Sequence, residues 1–296
     1  MDLAETRART TPRVRRHRAR AIARPVLFYV PIALFLAITF LPIYWIVLSA
    51  FTPIQELFTS PLHYIPLHPS FVNFQTVAQV VNLGRECLNS GLLAIFSAGI
   101  SVIVCVLAAY AFARIRFPGS NILFVGLLLS GFLPSIATII PLFQTFQNLS
   151  LVDSLQGLVI LLVSLLLPTS VWLLTSFVRQ IPLEMEEAAQ VDGANFPTVM
   201  WRIIIPMLRP ALATLFLINL ITAWDEFFFP LIFSRSDATA TLTLGITQAA
   251  VNPQYQSVAW GNEAAMGLIV IAPVFVLAMI FQKQIVEGLM AGALKG

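Results

Sequence analysis

The sequence predicts an all-α, polytopic membrane protein with six transmembrane helices. Three observations carry that prediction: 58% of the 296 residues are hydrophobic, only 10% are charged, and the apolar residues fall in six long runs. A soluble domain would carry roughly 25% charged residues, whereas the mean hydropathy here is +0.87. A helix needs about 20 mostly apolar residues to cross the hydrocarbon core. The runs at 25–50, 89–113, 121–143, 155–178, 207–233 and 263–286 meet that length. They divide the chain into a basic tail at 1–24, a six-span domain at 25–286 with an inner loop at 179–206, and a short tail at 287–296. No room remains for a separate globular domain.

The first span is expected to stay in the membrane. Its apolar stretch of about 25 residues exceeds the core of a cleaved signal, and no small-residue cleavage site follows it. Orientation comes from Arg and Lys, which are retained in the cytoplasm when they lie near span ends. Arg7, Arg9, Arg13, Arg15, Arg16, Arg18, Arg20 and Arg24 precede span 1. Arg114 and Arg116 follow span 2, Arg179, Arg202 and Arg209 fall around the inner loop, and Lys283 and Lys295 close the chain. Of the 17 basic residues, only Arg85 and Arg235 are left outside, so both termini are expected in the cytoplasm. Beside a membrane span, the basic tail reads as a topology signal in contact with anionic lipid, in preference to a nucleic-acid arm.

Spans 2 to 6 carry further marks. Cys87 and Cys105 lie on one predicted helix about 27 Å apart at 1.5 Å per residue, too far to bond to each other. Pro134, Pro141, Pro168 and Pro230 interrupt spans, where kinks for rocking and static packing are both open readings. Three outer segments follow from the topology: 51–88 with four prolines and room for a short helix near Asn73–Asn82, a short one near 144–154, and a longer polar one at 234–262. The last is either an ordered surface for an external partner or a solvated connector.

The inner loop breaks the charge rule, with Glu184, Glu186, Glu187 and Asp192 against three arginines. Pro182 suits a first helical turn, where its missing N–H costs nothing, and the glutamates then lie near the positive end of the helix dipole. Met185, Ala188 and Ala189 share a face at i, i+3 and i+4. Gly193 is placed to close this short helix in the left-handed conformation. A second helix is expected to begin at Asn195, Phe196 and Pro197, amphipathic through Val199, Met200, Ile203 and Ile204, and to enter span 5 at Pro206. The result is a small acidic knob suited to a cleft lined by arginines on a cytoplasmic protein. The plainer alternative is an interfacial helix stabilised by its own dipole.

The segments EAAQVDG and IIIP of this loop resemble the cytoplasmic loop of permease subunits in binding-protein-dependent ABC importers. AAYAFARIRFPG (Ala108 to Gly119), LPSIATIIPLF (Leu133 to Phe143), AWDEFFFPLIF (Ala223 to Phe233) and AGALKG (Ala291 to Gly296) resemble the carbohydrate subfamily, and the chain is similar to its smaller maltose-type permeases. The resemblance implies a type I ABC importer permease bundle in the cytoplasmic membrane of a prokaryote. The partners it implies are a second, larger permease, two ATP-binding subunits that hold ATP and Mg, and an extracytoplasmic solute-binding protein. No cofactor is implied in this chain. Glu186, Glu187, Ala188, Ala189, Asp192, Gly193 and Pro206 would form the joint to the ATPase, with Glu187 paired to a basic residue of that partner and Gly193 making the corner. By the same resemblance the tail around Lys295 would be a second ATPase contact.

In span 5 an ionised Asp225 or Glu226 would cost roughly 2.5–3.5 kcal/mol at the bilayer centre, so both must face protein or water. With Asn219, Thr222 and Trp224 they either line a polar path for sugar, hydroxyls and a ring face meeting the cargo, or bond helix to helix. No Arg or Lys lies within spans 2 to 5 away from their ends, which favours a neutral oligo- or disaccharide; a glycerol-phosphate or polyol cargo is the alternative.

Catalytic signals are not found. There is no GxxxxGK[ST] phosphate loop, and His17, His63 and His68 lack the company of a metal site. A polytopic membrane enzyme would gather polar catalytic groups at one face, and the only gathered carboxylates sit in the helix-turn setting of the inner loop. A secondary transporter would show inverted repeats with paired broken helices, and no such symmetry is visible.

Overall fold

The computed structural model describes residues 12–61, 63–133, 135–250 and 259–293, all helix or connecting turn. In chain order the helices are α1 (Pro12–Ala50), α2 (Ile54–Leu57), α3 (Val72–Val80), α4 (Leu83–Arg114), α5 (Ser120–Ser130), α6 (Ser135–Asn148) and α7 (Leu155–Val178). There follow α8 (Leu183–Val191), α9 (Phe196–Val199), a π-helical turn at Met200–Ile204, α10 (Ile205–Asp225), α11 (Phe228–Phe233), α12 (Leu242–Ala249) and α13 (Trp260–Ala293).

Five stretches among the described residues are long and apolar enough to cross a membrane: Leu27–Ala50, Leu83–Arg114, Leu155–Val178, Phe196–Asp225 and Trp260–Lys283. The expected third span, 121–143, is instead divided between α5 and α6. Proline lacks an N–H and disfavours helix in the residue before it, so a proline at 134 works against a single rod, although Pro134 itself lies outside the described residues. Gly131, at the end of α5, packs against α7: a Cβ there would stand 3.1 Å from Cβ of Pro168. The expected fifth span also changes bounds. Its helix runs continuously from Phe196 and stops at Asp225, and the piece expected to continue it forms the separate α11. Pro141 and Pro168 lie inside continuous helices and Pro230 in the first turn of α11, so these three do not break the spans.

The bundle is built on α4 against α7, with α10 packed on both. Ala94, Ser97, Ala98, Ser101, Cys105 and Ala109 form the buried stripe of α4. Small side chains let helix backbones approach closely where lipid supplies no hydrophobic drive. Two buried clusters follow along the bundle. One joins α4 and α7 to α10–α13 through Leu93, Leu162, Trp224, Phe233 and Met266. The other joins them to α8–α10 through Val106, Val178, Ile181, Met200 and Ile204. In α1 only 11% of the span is buried against 50% in α7, so α1 stands at the periphery, packed mainly on α13.

The connections at one end are tied by single polar side chains. Nδ2 of Asn73 in α3 donates to the carbonyls of Ser49, Ala50 and Thr52 at 3.3, 3.0 and 2.9 Å, satisfying acceptors that the end of α1 leaves open. Asn89 of α4 donates to the carbonyls of Ala238 and Ala240 at 3.1 and 2.8 Å, and Ser90 Oγ accepts from the Leu242 N–H at 2.8 Å. Asp153 accepts from the Thr239 hydroxyl and from the N–H groups of Arg235 and Ser236 at 3.0 and 3.2 Å. These hydrogen bonds, Thr239 foremost, hold its carboxyl down at about 2. The segment at 234–250 is thereby laid across the ends of α4 and α7.

Candidate functional site

The inner loop folds as a helix, a corner and a second helix. Pro182 caps α8 with an extended ψ of 133°, one residue before the helix proper. At the other end Gly193 has φ +85°. Its N–H donates to the carbonyl of Gln190 at 3.0 Å, and the Ala194 N–H donates to that of Ala189 at 2.9 Å. This pair of bonds is the Schellman closure, in which a left-handed residue satisfies the last carbonyls of a helix. Asn195 then starts α9, its Oδ1 accepting from the N–H and hydroxyl of Thr198 at 3.1 and 2.7 Å, as an N-cap does. The chain passes through the π-helical turn, whose wider bond joins the Ile205 N–H to the Met200 carbonyl, into α10 with half-buried Pro206 in the first turn.

The knob is fastened from behind. Glu186, whose side chain is 2% exposed, accepts at one oxygen from Nε of Arg114 at 2.7 Å and at the other from the Tyr110 hydroxyl at 2.9 Å. A second guanidinium nitrogen of Arg114 donates to the Ile181 carbonyl at 2.6 Å. The Phe196 ring packs edge-on to Tyr110 with centroids 5.4 Å apart. Arg114 thus ties both the approach to α8, at Ile181, and α8 itself, at Glu186, to the end of α4. A buried carboxylate must be paired and hydrogen-bonded to be tolerated, and this one has both partners.

Glu186 was expected in the joint with the ATPase. Its burial within this chain takes it off the surface and makes it the anchor. Glu184, Glu187 and Ala188 are exposed, as are Asp192 and Gly193, while Ala189 is half-buried against the second cluster. Glu184, Glu187, Ala188 and Val191 follow one another at helical spacing on the outward face of α8, with Val191 88% exposed. Reading the sequence missed Tyr110 and Arg114 as anchors. Arg114 serves there as an orientation signal and, with Tyr110, as part of the AAYAFARIRFPG segment, although the four-residue spacing that sets both on one face of α4 is visible in the sequence.

The residues expected along a substrate path separate into two groups. Asn219 is buried, donating to Ser101 Oγ at 3.2 Å and accepting from Ser170 Oγ at 3.1 Å, so it bonds α10 to α4 and α7. Trp224 is buried too, its Nε1 donating to the Val270 carbonyl of α13 at 3.1 Å. Glu226 accepts at Oε1 from the N–H groups of Phe228 and Phe229 at 2.9 and 3.1 Å, starting α11. These three hold helices together. Thr222 and Asp225, three residues apart on α10, are exposed on the surface of this chain. The terminal residues around Lys295 lie outside the described residues, as does the whole NPQYQSV stretch. Among the described residues no group of three or more His, Cys, Asp or Glu is placed to hold a metal ion.

Comparison with known proteins agrees with this architecture. The chain is 30% identical over 256 residues to the trehalose transport system permease SugB of Mycobacterium tuberculosis, covering 86% of this chain and 92% of that protein. It is 31% identical over 277 residues to the trehalose/maltose transport system permease MalG of Thermococcus litoralis, covering 93% and 98%. With the diacetylchitobiose uptake system permease DasC of Streptomyces coelicolor it shares 28% over 268 residues, covering 90% and 95%. A crystal structure of a bacterial ABC transporter that imports the acidic polysaccharide alginate contains a chain of the same fold, with a TM-score of 0.75 at 22% identity, covering 91% and 97%. The profile of one family matches residues 102–290, a stretch that begins within α4 and takes in the whole knob. A multi-pass membrane subunit of a transporter, the protein belongs to the family of binding-protein-dependent transport system inner membrane components.

Proposed function

We propose that this chain is one half of the pore of an ATP-driven sugar importer, and that its knob at 179–206 is the joint to the ATP-hydrolysing subunit. The observation that carries the reading is the division of labour within α8: Glu186 is locked to Arg114 and Tyr110 on one side, while Glu184, Glu187, Ala188 and Val191 are exposed on the other. An exposed valine and alanine between carboxylates is poor design for water and suits a close-fitting protein cleft bearing a basic residue. Because the anchor reaches α4, a shift of the knob is carried to the central helix of the bundle. Closure of two ATP-binding subunits would draw the knobs of this chain and of a second permease together and open the pore outward, and release of products would reset it. The knob faces the cytoplasm in this reading, as the distribution of arginines requires, and a solute-binding protein delivers cargo at the opposite end.

The cargo is taken to be a neutral oligo- or disaccharide. Trehalose, maltose and diacetylchitobiose appear in the names of the similar permeases, and the exposed Thr222 and Asp225 offer hydroxyl-bonding groups without a cation. The test is to purify the tagged chain gently with its co-expressed neighbours and identify what accompanies it by mass spectrometry. Recovery of an ATPase and a second permease, with the ATPase lost on Glu187→Arg, is the expected result. Homogeneous purification of this chain alone would sink the reading.

A further inference from the structure

Ser97 of α4 is fully buried, and its hydroxyl has no hydrogen-bond partner among the described residues. Buried polar groups are normally paired, and one left without a partner calls for a reason. Four residues further along α4, on the same face, Ser101 is occupied: its Oγ accepts from Nδ2 of Asn219 at 3.2 Å. The two helices are antiparallel, since α4 ends at the knob with Arg114 and α10 begins there. The register that sets Asn219 opposite Ser101 therefore brings Ala223, four residues later on α10, to the level of Ser97. Alanine offers the hydroxyl nothing, and Asn219 stands one turn short of it, about 6 Å at 1.5 Å per residue.

Three features allow α10 to take up that turn. The buried face of α4 carries Ala94, Ser97, Ala98, Ser101 and Cys105, small side chains that let a neighbouring helix lie close and slide. At the knob, α10 is preceded by the π-helical turn, an irregularity frequent at functional sites, and Pro206 and Pro210 have no N–H to donate into the helix. At its other end α10 stops at Asp225, and Glu226 turns to extended backbone with ψ 125° before α11. Glu186 keeps α8 tied to α4, so the slip falls between α8 and Asn219, where the helix is short of bonds.

We propose that α10 has two registers on α4, with Asn219 on Ser101 at rest and on Ser97 once the ATP-binding subunits have closed. The inference rests on the ATP-driven cycle proposed above. In the second register the Ser97 hydroxyl donates to Oδ1 of Asn219 or accepts from its Nδ2, by sliding of α10 and turning of the side chain together. Ser101 and Ser170, left behind, both retain the buried sulfur of Cys105 beside their hydroxyls, at 3.9 Å from Ser101 Oγ. Asn219 is bonded in either register and in no position between them, so the helix steps from one to the other, as packed interfaces with two discrete arrangements do.

The experiment uses the whole transporter, this chain with its partners, in nanodiscs. Spin labels on Cys87, exposed near the outer end of α4, and on Ala213→Cys, at an exposed position in the inner half of α10, report the distance along the helix pair by pulsed electron resonance. That distance is expected to be shorter by about 4–6 Å, close to one turn, in the vanadate-trapped complex than in the nucleotide-free one. Ser97→Ala should slow uptake by on the order of fivefold, the reach of one hydrogen bond, without lowering the melting midpoint of the nucleotide-free complex, where the hydroxyl has no partner. A complex that assembles and hydrolyses ATP while the distance stays fixed overturns this inference alone; recovery of the chain without an ATPase overturns it together with the reading above. Uptake unchanged by Ser97→Ala also overturns it, and a lowered melting midpoint in that variant would assign Ser97 to packing instead.

Discussion

Removing one partner from the pair of Glu186 and Arg114 leaves the other charge buried, a loss that costs about 3–5 kcal/mol in comparable sites. The side chains are only 2% and 13% exposed, so solvent can do little to compensate. Arg114→Ala is expected to free the knob from α4, seen as faster proteolysis between residues 183 and 195 and a lower melting midpoint in detergent. Arg114→Lys should be intermediate, because a lysine keeps the charge but cannot serve both Glu186 and the Ile181 carbonyl with a planar fork. Equal melting of wild type and Arg114→Ala would show that the pair does not hold the loop.

Between helices, Gly193 is where conformation decides. Nothing lies within 4 Å of a Cβ built there, but its φ is +85°, and a left-handed residue with a side chain costs roughly 1–2 kcal/mol. Gly193→Leu is therefore expected to reorient α9 relative to α8 and abolish transport while the chain remains inserted; Gly193→Asn, which tolerates this conformation, should retain most activity. Uptake unaffected by the leucine would remove the corner from the coupling argument. At the end of α10 the adjacent acids should part company. Glu226→Ala removes the acceptor for two N–H groups of α11 and is expected to cost about 1 kcal/mol, as a lost cap does. Asp225→Ala touches an exposed carboxylate and should impair uptake with little change in melting. Matching losses of stability in the two variants would assign both to packing.

Across the molecule, Asp153 fastens the turn before α7 to the segment that follows α11, 82 to 86 residues away in sequence. Its carboxyl is held down at about 2 by the Thr239, Arg235 and Ser236 bonds, below the usual value near 4. A depressed acid stabilises the folded state above its unfolded pKa and loses that contribution as pH falls toward its folded pKa. The difference in melting midpoint between wild type and Asp153→Asn is thus expected to be constant above about pH 5 and to shrink between about pH 4 and 2. A difference that stays unchanged through that window would mean the ionised carboxylate is not what holds the segment.

Helix, span and knob were legible in the sequence because each is written in local terms: runs of apolar residues, a proline before acids, a glycine after them, an asparagine before Phe196. The sequence by itself determined that the chain is a membrane bundle and that the inner loop turns at Gly193, since hydropathy and backbone freedom depend on residues close together in the chain. Tertiary structure alone decided what each polar group does. Glu186 and Glu187 are neighbours of one type, yet one turns inward to an arginine 72 residues away and the other faces out. Asn219 meets serines on two other helices, whereas Thr222, one turn later, meets none. The third span divides between α5 and α6, and Gly131 at the end of α5 matters through its close approach to Pro168 of another helix. Burial and pairing belong to helices brought together from distant parts of the chain, and no periodicity within one helix encodes which partner will stand opposite.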